Sequence, residues 1–207
     1  MAGFTLPRFY PILDTEVAAR FEVEPVTAAA EILDAGAKIL QFRHKGFFSR
    51  EAVEDIERIA VLCRDAGALF VVNDRVDVAR VAGAAVHLGQ EDLTPTLARR
   101  VAGDEMAIGY STHNEAQLRA AAGEPADYVA LGPIFETVSK RNPDPVVGLE
   151  RLRLWRSLTP RPLVAIGGIT RANASRVLEA GADSVAVIGD LFPGVGARVR
   201  EWIAVTD

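Results

Sequence analysis

One short pattern recurs along the chain and limits the folds open to it: a helix-favouring stretch reaches a glycine, and a run of largely apolar residues follows. Such glycines suit the left-handed position just past a helix, which a residue without a Cβ occupies without steric penalty. The four copies are DAGAKILQF at 34–42, DAGALFVVN at 65–73, VAGAAVHLG at 81–89 and EAGADSVAVIG at 179–189, with the glycines at Gly36, Gly67, Gly83 and Gly181. A repeated unit of helix, glycine and strand is therefore predicted.

The apolar runs themselves predict a parallel sheet, because they do not alternate cleanly between apolar and polar residues. Parallel strands are covered on both faces, whereas half-exposed antiparallel strands alternate. The runs lie near 9–13, 39–43, 69–73, 85–88, 107–111, 128–131, 163–166 and 184–188, each followed by room for a helix. A doubly wound open sheet would share this order, but no G-x-G-x-x-G follows the first strand. The number of runs favours an α/β fold, a (β/α)8 TIM barrel with residues 1–207 as a single domain.

Composition narrows the partners of such a barrel. Hydrophobic residues make up 49% of the sequence and charged residues 25%, which is ordinary for a globular domain. The net charge of −5 argues against nucleic acid or an anionic membrane as the main partner, because both favour a basic surface. The amino-terminal segment lacks a signal-peptide pattern and no apolar run reaches membrane length, so a cytoplasmic protein is expected. The sequence does not fix the oligomeric state, and a homodimer is compatible with it.

Polar and glycine residues gather where the predicted strands end, which is the end of a (β/α)8 barrel that carries the active site. They are Gln41 to Lys45 after strand 2, Asn73 to Arg75 after strand 3, His87 to Asp92 after strand 4, Ser111 to His113 after strand 5, and Gly132, Gly167, Gly168 and Gly189 after strands 6 to 8. We therefore expect the active site at this end, which we call the barrel mouth.

Two aspartates follow neighbouring strands, Asp74 after strand 3 and Asp92 after strand 4, so their carboxylates are expected to meet over the barrel mouth. A lone aspartate in a loop is more often a cap or a surface charge. Two carboxylates that close need a cation between them, and their hard oxygen ligands suit Mg2+, which also takes waters and substrate phosphate. Gln41, Arg43 and Lys45 alternate at the end of strand 2 and so point the same way, which suggests a clamp for a diphosphate.

Glycines at the ends of strands 7 and 8, in AIGGIT and VAVIGD, indicate a phosphate site. Backbone amides can approach an anion closely there, and this is the usual phosphate position of the fold. Gly167, Gly168 or Gly189 taken alone could equally be a plain turn glycine. Their occurrence in two adjacent loops favours phosphate.

The stretch from 134 to 148 is long for a connection in a compact barrel, and it carries Thr137, Ser139, Lys140 and Arg141. Connections of this length are either disordered or act as lids over a site. Because hydroxyls stand beside a lysine, phosphate capture by a lid is plausible.

Histidine and cysteine provide no catalytic candidates. His44, His87 and His113 have no acidic partner at a readable spacing, so each is expected to be structural rather than a base. Cys63 falls in the apolar stripe of ERIAVLCRDAG and is expected to be an inert core thiol.

Taken together, these segments resemble the thiamine phosphate synthase family, a (β/α)8 family whose motifs occur here in the same order across most of the chain. The matching segments are Gln41 to Lys45 for Q-L/F-R-x-K, Asn73-Asp74 for N-D, His87 to Asp92 for H-L-G-Q-E-D, Ser111 for the serine after strand 5, Gly132 to Lys140 for G-P-I-F-x-T-x-T/S-K, and Ala165 to Ile169 for A-I-G-G-I. The resemblance depends on the whole series rather than on any one motif.

The resemblance implies an enzyme that condenses hydroxymethylpyrimidine diphosphate with a thiazole phosphate, forming thiamine phosphate and releasing pyrophosphate, with Mg2+ as the cofactor. In that family the C–O bond to pyrophosphate breaks toward a pyrimidine methyl cation, which the thiazole nitrogen captures. Such a reaction depends mainly on electrostatic stabilisation of the leaving group.

The resemblance also implies roles for individual residues. Asp74 and Asp92 would hold Mg2+, and the catalytic residues would be Arg43, Lys45, Ser111 and Lys140. The pyrimidine diphosphate would contact Gln41, Phe42, Arg43, His44, Lys45, Asn73, Ser111 and Lys140. The thiazole phosphate would be surrounded by Thr137, Ser139, Gly168, Val187, Ile188 and Gly189.

Three positions depart from the family pattern. His44 stands where a glutamate is frequent, and GAAVHLG is one residue shorter than the common G-A-D-G-V-H-L-G. Gly189 replaces the serine of V-I-S, so only its backbone amide is left to hold the thiazole phosphate.

Other functions are compatible with the same barrel. A related thiazole tautomerase shares the thiazole phosphate pocket, but it generally lacks the paired aspartates and carries a histidine where this chain has Pro133. A non-catalytic thiazole phosphate-binding regulator, or an unrelated phosphate-binding barrel isomerase, would not need the aspartates together with the cationic residues. The sequence favours the synthase.

Overall fold

The computed structural model describes residues 4–137 and 144–207. Within these residues the strands run parallel and pair in sequence order, and β1 pairs with β8 to close an eight-stranded barrel. The strands are β1 Phe9–Asp14, β2 Ile39–Arg43, β3 Leu69–Asn73, β4 Ala85–Leu88, β5 Ile108–Thr112, β6 Tyr128–Leu131, β7 Leu163–Ile166 and β8 Ser184–Val187. The predicted (β/α)8 fold is confirmed.

The observed strands lie within one residue of their predicted bounds at each end; the largest shift is that of β5, which begins and ends one residue later than predicted. The glycines of the repeated unit explain this agreement. Gly67 and Gly83 adopt φ angles of 62° and 65°, and Gly36 and Gly181 adopt 104° and 107°. All four have the positive φ that was expected, and each is followed within a few residues by a strand.

Helices cover the outside of the barrel. They are α1 Thr15–Arg20, α2 Pro25–Asp34, α3 Arg50–Asp65, α4 Val76–Ala82, α5 Pro95–Ala102, α6 Glu115–Ala121, α7 Gly148–Trp155, α8 Ala174–Glu179 and α9 Val195–Thr206, with 3-10 turns at Arg156–Leu158 and Gly189–Leu191. Two helices rather than one follow β1, because Asp14 caps α1 directly at the strand end by accepting a hydrogen bond from the Val17 amide at 3.0 Å.

Strand alternation divides the interior into two layers. Residues on one face of each strand pack against the helices, and those on the other face fill the barrel. The apolar residues inside the barrel are Tyr10, Ile12, Ile39, Val71, Ala85, Tyr128, Ala130, Val164 and Ala186. Positions two residues further along several strands reach the barrel mouth, where the polar side chains lie.

Cys63 lies in the helix-facing layer on α3, in line with Ile56 and Ile59, and its side chain is buried. Burial raises the pKa of its thiol to about 12, so the thiol stays protonated at neutral pH. The predicted core position is confirmed. No helix among residues 4–137 and 144–207 has both the length and the apolar character that a membrane crossing requires.

Candidate active site at the barrel mouth

The end of β2 divides its residues between the two layers. Gln41 and Arg43 contact residues of β1 inside the barrel, and Lys45 continues the same alternation. Phe42 packs in the helix-facing core and is 1% exposed. Val187 at the end of β8 lies in that same core. The side chains of Phe42 and Val187 therefore face the helices rather than the barrel mouth, because alternate residues of a strand face opposite sides, and their expected substrate contacts stay predictions.

The two aspartates that were expected to meet do so. Burial raises the pKa of Asp92, and the negative charge of Asp74 and a hydrogen bond shared with it raise that pKa further, while the Gly89 amide lowers it. The Gly89 amide donates to Asp92 Oδ2 at 2.7 Å. The shorter segment before Asp92 thus still brings its carboxylate to Asp74.

Asp74 reaches this place through an unusual backbone conformation. Its φ is 67°, in the left-handed region that aspartate tolerates better than most residues. Its amide donates to the carbonyl of His87 at 2.8 Å, which ties the end of β3 to β4. The turn therefore directs the Asp74 side chain toward the neighbouring loop.

The carboxylate pair fits a magnesium ion by its chemistry. Among the described residues, no group of three or more histidine, cysteine, aspartate or glutamate side chains could hold a metal. Mg2+ is commonly bound by one or two carboxylates and completes its shell with water and substrate phosphate. The pKa of Asp92 is raised first by burial and then by the nearby charge of Asp74, and a cation between the carboxylates would offset both effects.

Two cations of β2 lie beside acidic groups at the mouth. Lys45 Nζ donates to Asp74 Oδ2. Arg43 forms an ion pair with Asp14, a buried carboxylate that also caps α1. A guanidinium has five donor hydrogens, so the pair with Asp14 leaves further donors for a ligand. The pairing of Asp14 with Arg43 was not predictable from the sequence, because an aspartate before a helix is a common cap.

Residues predicted to contact the pyrimidine lie deeper in the mouth. Gln41 is 2% exposed and Asn73 7% exposed, while Ser111 is partly exposed at the end of β5. The Asn73 Nδ2 is one of two buried side-chain nitrogen or oxygen atoms in the described residues that have no hydrogen-bond partner. An unpaired buried donor is uncommon, and a ligand acceptor would satisfy it.

Hydrogen bonds inside the barrel link some of these residues to others that the sequence did not single out. Gln41 bonds to Tyr10, Tyr10 to Tyr128, Tyr128 to His87, and His87 to Ser111. Burial lowers the pKa of His87 to about 4, an effect that the negative charge of Asp74 partly offsets. Its ring is therefore neutral at pH 7. Tyr10 and Tyr128 read as ordinary strand residues in sequence, which is why they were missed.

The three histidines have protein partners. The His44 ring bonds to Thr15 Oγ1 at 2.9 Å and, through Nε2, to the carbonyl of Phe47 at 3.1 Å. Both of its nitrogens are thus used within the protein, and its expected substrate contact stays a prediction. His113 Nδ1 lies 2.7 Å from the Gly132 carbonyl and 3.6 Å from Asp144 Oδ2. This acidic neighbour follows a different strand, so spacing along the chain did not reveal it.

Packing explains the glycines after β7. Gly167 and Gly168 have φ angles of 97° and 66°. A Cβ on Gly167 would lie 2.6 Å from Pro133 Cα, and one on Gly168 would lie 2.4 Å from the carbonyl oxygen of Glu136. The loop after β6 therefore packs directly on these two glycines, and their role toward phosphate is a matter for proposal.

The end of β8 is held by ionic contacts. Asp190, within the 3-10 turn that starts at Gly189, accepts hydrogen bonds from Arg198 at 2.9 Å and from Trp202 Nε1 at 3.0 Å. Arg171, from the loop after β7, lies 3.2 Å from the same carboxylate. Gly189 is exposed and is absent from the described residues that have positive φ. Ile188 packs toward the barrel interior.

The predicted lid loop is only partly described. Thr137 is its last described residue on the β6 side, and the description resumes at Asp144. Ser139, Lys140 and Arg141 lie outside the described residues.

Comparisons with known proteins agree on one family. The model of a family described as thiamine monophosphate synthase matches residues 9–191. The thiamine-phosphate synthase of Koribacter versatilis is 47% identical over 210 residues, which cover 99% of this chain and 98% of that protein. The thiamine-phosphate synthase of Chlorobium phaeovibrioides is 47% identical over 168 residues, which cover 81% of this chain and 80% of that protein.

A solved structure of a similarly named protein also resembles this chain. The thiamine phosphate pyrophosphorylase from Pyrococcus furiosus superposes with a TM-score of 0.85 at 35% sequence identity. The superposition covers 96% of this chain and 95% of that one, so the similarity extends over the whole barrel.

Proposed function

Because the chain belongs to the thiamine monophosphate synthase family, we propose that its barrel mouth condenses hydroxymethylpyrimidine diphosphate with thiazole phosphate, forming thiamine phosphate and releasing pyrophosphate. The chain is accordingly a transferase of thiamine biosynthesis. One observation carries the assignment of the site: Asp74 and Asp92 meet at the mouth, and Lys45 bonds to Asp74 there. Paired carboxylates beside an ammonium suit a diphosphate together with its metal.

Mg2+ is the cofactor that the carboxylate pair fits, and Asp74 and Asp92 would hold it. When bound, the ion supplies positive charge that neutralises the departing pyrophosphate. Lys45 already contacts Asp74, so its ammonium stands where it can bond to the same diphosphate. Arg43 would bind through the donors that its pair with Asp14 leaves.

The pyrimidine ring would lie against Gln41, Asn73 and Ser111, which carry amide and hydroxyl groups at the inner part of the mouth. The unpaired Nδ2 of buried Asn73 supports this, because a ligand acceptor there would satisfy a donor that has no partner among the described residues. His44 would act on the substrate only through its neighbours, since both its ring nitrogens already have partners.

The reaction balances without an added reactant. The C–O bond between the pyrimidine methylene and pyrophosphate breaks, and its electron pair leaves with pyrophosphate. The lone pair of the thiazole nitrogen then forms the new C–N bond at that methylene. Arg43, Lys45 and Lys140 would stabilise the negative charge that grows on the leaving group, a contribution that acts mainly in the transition state.

The thiazole phosphate would bind across the ends of β6, β7 and β8. Gly168, Ile188 and Gly189 border this part of the mouth, and Val187 would contribute its backbone. Thr137 and Ser139 would add hydroxyl groups from the loop after β6. Gly168 would offer its backbone amide to the phosphate, while the loop after β6 fills the side where a Cβ would lie.

The alternatives named from the sequence receive less support. A thiazole tautomerase or a regulator that only binds thiazole phosphate has no use for a carboxylate pair joined to Lys45. The meeting of Asp74 and Asp92 therefore favours the synthase. The expected homodimer, the cytoplasmic location and the lack of nucleic acid as a partner stay predictions.

The direct test supplies both substrates with Mg2+ and measures thiamine phosphate and pyrophosphate. We expect equimolar formation of the two products, and none when either substrate is left out. Asp104 is an exposed aspartate before β5. Asp104→Asn is therefore a control for Asp74→Asn and Asp92→Asn, because it removes the same charge away from the mouth and should leave product formation unchanged. Isomerisation of the thiazole without condensation would favour the tautomerase, and binding without any product would favour the regulator.

A second test addresses the lid. If Lys140 reaches the pyrophosphate only after the loop closes, Lys140→Ala lowers kcat and kcat/KM by the same factor, with an unchanged circular dichroism spectrum. A change in KM alone would instead mean that Lys140 binds the ground state of the substrate.

A further inference from the structure

Five polar side chains form a continuous series of hydrogen bonds across the inside of the barrel, and we call them the interior chain: Gln41, Tyr10, Tyr128, His87 and Ser111. Gln41 Nε2 donates to Tyr10 at 2.9 Å, and the two tyrosine hydroxyls lie 2.8 Å apart. Tyr128 lies 3.0 Å from His87 Nδ1, and His87 Nε2 lies 2.8 Å from Ser111 Oγ. The series therefore begins and ends at residues to which the proposed function gives the pyrimidine.

The interior chain requires a residue without a side chain at one position of β5. A Cβ on Gly109 of β5 would lie 2.1 Å from Tyr128 Cζ and 2.4 Å from His87 Nδ1. Gly109 is absent from the residues with positive φ, so its backbone does not require glycine. The reason for a glycine at this interior position is the bond between Tyr128 and His87.

The hydrogen bonds also have a direction. Tyr10 accepts from Gln41 and is buried, and the only other partner for its hydroxyl among the described residues is Tyr128. Tyr10 must then donate to Tyr128, because a buried donor without an acceptor is costly. Each phenol has a single proton, so Tyr128 donates in turn to His87 Nδ1.

The direction of the chain determines the state of Ser111. When Nδ1 of a neutral histidine accepts, the ring proton is on Nε2, and His87 therefore donates to Ser111 Oγ. The Ser111 hydroxyl keeps its own proton for a ligand. At the other end, one hydrogen of Gln41 Nε2 is committed to Tyr10, which sets the orientation of the amide; its oxygen is an acceptor and its second Nε2 hydrogen remains a donor. Ser111 thus presents a donor, and Gln41 presents an oriented amide whose oxygen accepts.

We propose that Tyr10, Tyr128 and His87 are positioning residues that hold Ser111 as a hydrogen-bond donor and Gln41 as an acceptor toward the aminopyrimidine. An aminopyrimidine edge offers a ring nitrogen that accepts and an amino group that donates, so it complements this pair. The inference rests on the proposed function, since it concerns how the same site selects its pyrimidine.

The kinetic test removes single hydroxyls from the chain. Tyr128→Phe separates His87 from Tyr10, and we expect it to raise KM for the pyrimidine diphosphate about tenfold while KM for the thiazole phosphate is unchanged. Tyr10→Phe should act in the same way. Thr206→Val is the control, because it removes a buried hydroxyl on α9, outside the interior chain, and should leave both KM values unchanged.

A double-mutant cycle separates positioning from direct contact. If Tyr128 acts through Ser111, Tyr128→Phe has little further effect on KM in a Ser111→Ala background. Additive effects of the two substitutions would mean that Tyr128 does not act through Ser111, and would overturn the proposal.

A second measurement does not depend on activity. Nitrogen-15 NMR of histidine-labelled wild-type protein should find the His87 proton on Nε2, with Nδ1 unprotonated, and His87→Asn identifies the signal. Tyr128→Phe should weaken this preference without loss of the folded spectrum. A proton on Nδ1 in the wild type would refute the direction of the chain.

The outcomes for the two proposals are distinct. Wild-type protein that forms no thiamine phosphate would contradict the proposed function, while the NMR experiment would still test the interior chain. Product formation with unchanged pyrimidine KM in both Tyr10→Phe and Tyr128→Phe would contradict the positioning role alone.

Discussion

At the ends of β2 to β5 the barrel mouth is lined by ionisable and polar side chains, whereas at the ends of β6 to β8 it is lined largely by glycine backbone. On the first side, Asp74 lies against Asp92 and accepts a hydrogen bond from Lys45. On the second side, Gly167 and Gly168 have positive φ and lie against the loop after β6. The first side offers charge and the second offers shape and amide groups, which suits the proposed diphosphate on the first side and the proposed thiazole phosphate on the second.

The two sides of the mouth are therefore expected to respond differently to substitution. Changing a side chain on the β2 to β5 side removes a chemical group and leaves the backbone in place. Changing a glycine on the β6 to β8 side adds atoms to a packed turn, and therefore affects folding as well as binding.

The largest effect is expected at the carboxylate pair. Asp74→Asn and Asp92→Asn should each lower thiamine phosphate formation by about 100-fold or more, because the amide lacks the charge that holds the metal. Added Mg2+ should restore only part of the activity, and a chelator should inactivate the wild type. Full activity in both variants, or in chelator-treated wild type, would remove the basis of the comparison.

On the β6 to β8 side, substitution of a glycine should lower the free energy of unfolding. Gly168→Ala meets the Glu136 carbonyl oxygen, whereas Gly67→Ala, at nearly the same φ, meets nothing within 4 Å. Both substitutions carry a conformational penalty of about 1 kcal/mol or slightly more, and Gly168→Ala should lose about a further 2 kcal/mol of unfolding free energy from the close contact. Denaturant unfolding of the two variants measures the difference. Equal losses of unfolding free energy in the two variants would mean that the loop after β6 moves to accommodate the added methyl group at little cost.

At Gly189, on the β6 to β8 side, a side chain that could contact the phosphate can be added. Its φ is not positive and the residue is exposed, so a serine fits there without strain. A hydroxyl that donates to a charged phosphate should lower KM for the thiazole phosphate about tenfold in Gly189→Ser, with no effect on KM for the pyrimidine diphosphate. Steady-state kinetics with each substrate varied in turn decides this. An unchanged thiazole KM would mean that another donor already serves the phosphate.

The smallest effect concerns the stability of the metal-free protein. The pKa of Asp92 is raised in the folded state by burial and by Asp74, so its ionisation opposes folding. Below its unfolded pKa of about 3.9, Asp92 is protonated and does not destabilise the fold. As the pH rises through the higher folded pKa, Asp92 ionises in the folded state and the free energy of unfolding decreases. Without Mg2+, Asp92→Asn should raise Tm at pH 7, and the gain should vanish near pH 3. A lower Tm at pH 7 would show that the Gly89 bond outweighs the repulsion.

Sequence alone predicted the strands of the barrel because each depends on local features. A glycine that can take positive φ and an apolar run of strand length are both visible within about ten residues, and Gly67 and Gly83 behave as expected. The meeting of Asp74 and Asp92 was predictable for the same reason, since adjacent parallel strands bring their ends together.

Other parts of the site depended on contacts between residues far apart in the chain. Arg43 and Asp14 are 29 residues apart, and Tyr10 and Tyr128 are 118 residues apart. The strand pattern predicts that Tyr10 and Tyr128 occupy buried strand positions, but it does not predict which residue each of them meets. That depends on the register and tilt at which the barrel closes.

The sequence by itself thus determined the eight-stranded order, the end of the barrel that carries the polar residues, and the family to which those residues belong. Only the tertiary structure decided that Asp14 pairs with Arg43, and that Tyr128 and His87 occupy the space where a Cβ on Gly109 would lie. The physical reason is the range of the interactions. Backbone propensity and the pattern of apolar residues can be read from neighbouring residues, whereas side-chain pairing across a closed barrel is set when all of its strands are in place.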